Sequence, residues 1–261
     1  MMAKKEKCRA DELLVKLNFF ETRSKAQAFI MAGEVEYLKD EKWQPVQKAG
    51  QAFALSGASF RVNSKSHQDV GRGAQKIRGA FERWTSLASF VKAGLCLDIG
   101  SSTGGFTQVL LEKGASQVIA LDVGTNQLHE RLRNHAQVTS LEKTHILTVN
   151  EEFWSEQKIA LPFDFMVSDL SFISMKKIIL HVWPWLKSSG NWILLVKPQF
   201  ELHARHIKKG IVKSEEDRLN ALNGVLSLFK NFSDCDTIEF IECPLKGSQG
   251  NQEYLVWVRK K

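Results

Sequence analysis

Cysteine is sparse. Cys8, Cys96, Cys235 and Cys243 are the only four, they are widely separated, and no CxxC pair or histidine stands at ligand spacing. That pattern offers neither a zinc site nor a disulfide framework, so free thiols in a reducing compartment and no metal are expected. Long apolar runs are absent too. No stretch approaches the roughly 18 uninterrupted apolar residues of a membrane span. The opening Met1-Met-Ala-Lys-Lys-Glu-Lys7 carries charge with no apolar run behind it, which does not resemble a signal peptide, and cytoplasmic residence is the expectation. There is no internal repeat or low-complexity tract. What is present is a chain of 261 residues with 43% hydrophobic content, enough for one ordinary domain and a smaller one. The net charge of +7 is lopsided: residues 1–92 hold 17 Lys and Arg against 10 Asp and Glu, while residues 93–261 hold 19 of each. A basic excess confined to one end suits a polyanion such as nucleic acid better than a membrane, with a solvated charged face as the plain alternative.

Two short helices open the chain. Leu13, Leu14 and Leu17 share a stripe, and Thr22 can cap a second helix that ends at Gly33. Short alternating segments at 34–38, 43–46 and 52–62 then read as a small sheet. The polar, glycine-bearing stretch 63–73 marks a linker, which sets domains at 1–62 and 76–261 with 63–75 between them. Beyond it the pattern alternates: helix from Ala74, strand 94–99, helix from 104, strand 117–122, helix 126–134, strand 164–168, helix 175–187, strand 191–196, helix 215–230, then strands 236–243 and 253–259. This rhythm predicts an α/β, doubly wound, Rossmann-like parallel sheet closed by a hairpin-like last pair.

Three apolar runs end in polar chemistry: Leu95 to Gly105 (LCLDIGSSTGG), Phe163 to Ser171 (FDFMVSDLS) and Trp192 to Phe200 (WILLVKPQF). Ligands of open α/β sheets bind beyond the carboxyl ends of the strands, so a glycine loop, Asp169 and Lys197 should meet at one crevice. A lysine directly after an apolar strand needs a carboxylate or a task, because a buried unpaired charge is costly. The loop Asp98, Gly100, Ser101, Ser102, Thr103, Gly104, Gly105, Phe106 has GxxxGG spacing, not the GxGxxG of dinucleotide folds. Asp98 would stand beside the ligand, and Asp122, 22 residues after Gly100, could accept from ribose hydroxyls. S-adenosylmethionine fits these carboxylates better than a phosphate does, a nucleotide or an empty turn being the alternatives.

Lys76, Asp169, Lys197 and Glu253 together resemble the Lys-Asp-Lys-Glu tetrad of the FtsJ-type ribose 2′-O-methyltransferases. The chain is similar over nearly its whole length to the TlyA, or hemolysin A, family, in which an S4 RNA-binding domain precedes an FtsJ-like domain. The matching segments are Arg72-Gly-Ala-Gln-Lys76, Asp98 to Thr107, Ala120-Leu-Asp-Val-Gly124, Ser168-Asp-Leu-Ser-Phe-Ile-Ser174, Leu195-Val-Lys-Pro-Gln-Phe-Glu201 and Lys246 to Glu253. Arg9-Ala-Asp-Glu-Leu-Leu-Val15, Thr22-Arg-Ser-Lys-Ala26 and Gly33-Glu-Val35 resemble the S4 pattern. The resemblance implies a class I methyltransferase fold behind a small α+β S4 domain, and methylation of a cytidine 2′-hydroxyl in ribosomal RNA or ribosomal subunits, with S-adenosylmethionine as donor. The chain departs from the family at Gly71, at Gln108 and over Glu142-Lys-Thr-His-Ile146.

Chemistry points the same way, because a ribose hydroxyl needs a base as it attacks a methyl group. Lys197 is the candidate base, its apolar strand and neighbouring Lys76 disfavouring a charged amine; Asp169 and Glu253 would orient the lysines and the hydroxyl. RNA contact is expected at Arg9, Lys16, Arg23 and Lys25, at Arg72, and at Lys208 and Lys209 in a loop after Lys197, with Phe172 as a base-stacking candidate. Trp183 and Trp185 are expected to pack. The competing functions are an RNA-binding protein with an inactive methyltransferase domain and a membrane-active hemolysin.

Overall fold

The computed structural model describes residues 7–31, 34–55, 57–62, 69–247 and 249–261, and the chain divides into two compact units, Met1–Gln68 and Asp69–Lys261. In the first, β1 (Lys7–Arg9) leads into α1 (Ala10–Lys16) and α2 (Arg23–Met31), followed by β2 (Val35–Lys39), β3 (Lys42–Pro45), β4 (Ala52–Ala54) and β5 (Phe60–Val62). The single run expected at 52–62 is split. Its first part, β4, pairs with β1, whereas β5 joins β2 and β3 in a second antiparallel sheet. Leu13, Leu14, Phe20, Ile30, Val35 and Phe53 make the core of this unit. The end expected for the second helix, Gly33, lies outside the described residues.

Into that core projects Asp11, wholly buried. It accepts hydrogen bonds from Arg9 Nε at 3.0 Å, Arg23 at 3.1 Å and Gln27 Nε2 at 2.6 Å. Burial alone would push this carboxyl up; the donors outweigh it and hold it well below the usual range. Arg9 and Arg23, read in the sequence as RNA ligands, therefore also serve the fold, Arg9 bracing the start of α1 and Arg23 holding α2 to α1, with about half of each side chain left to solvent.

The second unit is a seven-stranded sheet in the order β11-β12-β10-β9-β6-β7-β8. Its strands are β6 (Leu95–Ile99), β7 (Gln117–Leu121), β8 (Val138–Leu141), β9 (Phe163–Ser168), β10 (Leu186–Val196), β11 (Cys235–Glu242) and β12 (Tyr254–Lys260). The first five run parallel, and β12 is antiparallel to both of its neighbours, β10 and β11. Helices α3 (Gly73–Arg83), α4 (Leu87–Val91), α5 (Gly105–Glu112), α6 (Glu130–Arg133), α7 (Glu151–Glu156), α8 (Met175–Val182), α9 (Pro198–Glu201) and α10 (Glu215–Lys230) connect them. Both faces are covered, which is why β6, β9 and the end of β10 read as mostly apolar segments rather than alternating ones. Trp154, Trp192 and Phe229 fill one side; Ile77, Phe81, Leu87 and Phe106 fill the other.

Several boundaries differ from the expectation for local reasons. α8 stops at Val182, because Pro184 sits in a 3-10 turn over Trp183–Trp185, both buried, and β10 begins at once at Leu186. The helix expected at 126–134 shrinks to α6, with Asn126 left-handed at φ 54° and its backbone N–H given to Glu142. β8 and α7 were not anticipated: β8 is half-buried at the sheet edge without an apolar run, and α7, though Asn150 caps it, is only six residues long. Asp69 and Val70, placed by sequence in a linker, are built into this unit. Asp69 accepts from Arg78 at 2.8 Å, and Val70 N donates to Gln108 Oε1 at 2.8 Å.

Candidate active site

The order of strands reverses between β6 and β9, and there the crevice opens beyond their carboxyl ends. Gly100 leaves β6 with φ 85°, and a Cβ on it would meet the carbonyl oxygen of Asp169 at 2.7 Å. Only glycine lets these two strand ends approach. The loop then turns back on itself. Gly100 N and Ser101 N donate to Leu121 O at 2.8 and 3.1 Å, Gly104 N to Ser101 O at 2.7 Å, and Ser102 N to Asp122 Oδ2 at 2.8 Å. With those donors spent, the loop is a poor cradle for a pyrophosphate, which needs backbone N–H groups aimed at it.

Two adjoining cavities share Gly100, Ser102, Asp169, Ser171 and Phe172. One, of about 690 Å³, is lined by Asp122, Val123, His145, Ile146 and Leu147. Asp122 Oδ1 accepts from Gly124 N at 2.7 Å, and its carboxylate retains lone pairs for ribose hydroxyls, while Val123 and Leu147 present partly exposed apolar surface to a base. These residues fit an adenosine group without phosphates. The other cavity, of about 650 Å³, is lined by Arg72, Lys76, Lys197, Glu253 and the loop residues Ser101, Thr103, Gly105 and Phe106.

Two of the proposed cofactor residues line neither cavity. Gly104 has φ 95°, and a Cβ there would collide with Leu132 Cδ1 and meet Leu128 Cδ1 at 2.7 Å, so its smallness serves packing under the loop. Asp98 is fully buried. Its Oδ2 accepts from Thr107 N at 2.9 Å and Thr107 Oγ1 at 2.6 Å, which ties β6 to the first turn of α5, and its Oδ1 has no hydrogen-bond partner among the described residues. Burial, with Asp169 and Asp122 adding repulsion against the Thr107 bonds, pushes this carboxyl up to about 7.

The four charged candidates form an alternating row. Glu253 Oε2 lies 2.7 Å from Lys76 Nζ, Lys76 Nζ lies 3.7 Å from Asp169 Oδ2, and Asp169 Oδ1 lies 2.6 Å from Lys197 Nζ. β9, β10, β12 and α3 each deliver one member from an element end, which is how residues so distant in sequence converge. Lys76 and Lys197 are each 8% exposed and Glu253 2%, so two amines and two carboxyl groups share a nearly dry site. Burial pushes the Lys76 ammonium down, but Asp169 and Glu253 outweigh it and raise it above the ordinary lysine value. Next to the row, burial pushes the Cys243 thiol up to about 11, so it stays protonated.

Of the RNA candidates in this unit, Arg72 is exposed at the rim, its guanidinium donating to Lys246 O at 3.2 Å. Phe172 is 92% exposed with φ 66°, its ring centroid 5.3 Å from that of Phe200. Lys208 and Lys209 are exposed on a short turn closed by a Lys208 to Ile211 bridge, beside the cavity-lining Ile207 and Gly210. Lys16 and Lys25 belong to the first unit, where Lys16 is exposed and Lys25 lies 3.8 Å from Glu21.

Sequence reasoning missed three contributors. Ser171 Oγ accepts from Lys197 Nζ at 2.9 Å. Gly247 leaves room for Glu253, since a Cβ there would stand 2.5 Å from Oε1. Asn251, 2% exposed, accepts from Val212 N and donates to Gly210 O, pinning the loop after Lys197. Their only sequence signal is nearness to Asp169 and Glu253.

The sequence pattern of the FtsJ-like methyltransferase family matches residues 70–260. Hemolysin A of Brachyspira hyodysenteriae is 36% identical over 95% of this chain and 98% of its own length. The 16S/23S rRNA (cytidine-2′-O)-methyltransferase TlyA of Mycobacterium tuberculosis is 34% identical over 97% of this chain and 90% of its own. A solved Streptococcus thermophilus protein that carries the hemolysin name superposes with a TM-score of 0.71 at 31% identity, covering 99% of this chain and 90% of that one. The chain belongs to the FtsJ-like methyltransferases, and S-adenosylmethionine is its methyl donor.

Proposed function

We propose that the protein methylates the 2′-hydroxyl of a cytidine in ribosomal RNA, with Lys197 as the base and Lys76, Asp169 and Glu253 as its supporting row. The alternating charges at the junction of the two cavities carry this reading, because the acceptor hydroxyl and the donor methyl must meet there. Loop residues Gly100 to Thr103 and Asp122 hold the donor, which supplies an electrophilic methyl group on a sulfonium. The ribose oxygen takes that carbon as the carbon–sulfur bond breaks, with the electron pair staying on sulfur. The hydroxyl proton passes to Lys197 Nζ. Asp169 sits between the two lysines and Glu253 keeps Lys76 in place, so with Lys197 as the free amine the row carries one net negative charge, which the arriving proton neutralises. Fixing both reactants at one rim supplies much of the rate.

Residues 1–62 act as an S4-like RNA-binding domain that brings rRNA or a ribosomal subunit to this rim, and the protein works in the cytoplasm. Arg72, Lys208 and Lys209 meet phosphates, and Phe172 offers a face to an unstacked base. No helix among the described residues is long and apolar enough to cross a membrane. Mapping ribose methylation in rRNA from cells with and without the protein, with a tritiated donor assay on purified rRNA, tests the reading. Unchanged methylation maps together with no transfer in vitro would leave an RNA-binding protein without this activity.

A further inference from the structure

Lys197 is held differently from Lys76. Its Nζ is 2.6 Å from Asp169 Oδ1, but the approach is off the hydrogen-bond axis; among the described residues its one directed hydrogen bond goes to Ser171 Oγ at 2.9 Å. The face of Phe200 stands on a further side, 5.9 Å from Nζ. Ser171 lines both cavities, so it marks the boundary between the donor and acceptor spaces. Its turn is pinned: the next residue, Phe172, is left-handed at φ 66° and rests on Phe200, three residues after Lys197. The serine and the lysine are therefore joined twice, by their hydrogen bond and by the Phe172–Phe200 contact.

We propose that Ser171 is a positioning residue for methyl transfer, setting the rotation of the Lys197 amine by accepting its hydrogen bond. A neutral amine has two N–H bonds and one lone pair. With one N–H directed at Ser171, and Asp169 and the face of Phe200 closing two further sides, the lone pair is left to the cavity, where a substrate hydroxyl would surrender its proton. The proposal rests on Lys197 being the base. Ser171 is exposed, so its substitution leaves the core intact.

The test compares full-length Ser171→Ala, Ser171→Thr, Lys197→Ala and the Ser171→Ala/Lys197→Ala double variant. Turnover and KM for rRNA are read with tritiated S-adenosylmethionine, and donor affinity is read by calorimetry. Ser171→Ala should lose about tenfold in kcat, the scale of one neutral hydrogen bond, with KM and donor affinity unchanged. Ser171→Thr, which keeps the hydroxyl, should recover most of it. In the Lys197→Ala background the serine change should cost nothing more. Wild-type kcat in Ser171→Ala, a loss confined to KM, or a loss that persists without Lys197 overturns the role of Ser171 alone. Wild-type turnover in Lys197→Ala removes the base and, with it, the proposal.

Discussion

The substitution Asp98→Asn should make stability less sensitive to pH, and the structure gives the size and the sign. The Asp98 carboxyl is raised from 3.8 to about 7 by burial, while its unfolded counterpart ionises near the ordinary value. Between these values the folded state holds a proton that the unfolded state has released. Folding stability therefore falls as pH rises from about 4 to about 7, then levels off once both states are ionised. A shift of roughly three units corresponds to an upper figure of about 4 kcal/mol at 1.36 kcal/mol per unit. The introduced amide can still accept from Thr107 N and Oγ1 through its oxygen, and its NH2 group, placed where Oδ1 finds no partner, costs an amount that does not depend on pH. Urea melts of both proteins at pH 5, 6, 7 and 8 isolate the effect, because every other titrating group is shared. The variant should gain on the wild type steadily up to pH 7 and hold that gain at pH 8. A difference that stays constant across the series would show that Asp98 is ionised throughout and that the buried brace is a charge.

Lys197→Arg should lose at least about a hundredfold in turnover, as Lys197→Ala does, because a guanidinium keeps the charge and cannot accept the proton near neutral pH; near wild-type turnover by the tritium assay would assign Lys197 a purely electrostatic role. Gly104→Val should destabilise by about 2–4 kcal/mol in urea melts, from a left-handed φ of 95° and collisions with Leu132 and Leu128, and not act on donor binding alone. Arg23→Ala should lower both RNA affinity and stability, since it strips a donor from buried Asp11, whereas Lys16→Ala should weaken RNA binding and lower the salt slope by about 1 with an unchanged melt. Filter binding across salt concentrations, set beside thermal melts, separates the two effects.

The parallel sheet was legible because strands covered on both faces are mostly apolar without alternation, as β6, β9 and the end of β10 are. Edge and connecting elements were not. β8 is four half-buried residues, Val-Thr-Ser-Leu, with no period to detect, and β1 is a three-residue strand whose existence depends on its partner β4. α8 was overextended because its apolar stripe continues through Trp183 and Trp185, and only the turn at Pro184 converts those residues from helix into the approach to β10.

The site divides along a similar physical line. Strand-end position locates Asp169 and Lys197, and resemblance supplies Lys76 and Glu253, yet neither distinguishes a residue that faces a ligand from one that lets the others do so. Asp98 and Gly104 lie in the same loop as Gly100, but the carboxylate turns inward to Thr107 and the glycine makes room for Leu128 and Leu132. Gly100 faces the ligand side because its Cβ position is taken by the Asp169 carbonyl, a contact between two strands that no local pattern encodes. The same holds for charge. A count shows basic excess before residue 93, but Arg9 and Arg23 are partly committed to buried Asp11, so that unit has less available positive charge than its composition suggests. Cations that support a fold and cations that meet a phosphate have the same letters, and only their partners tell them apart.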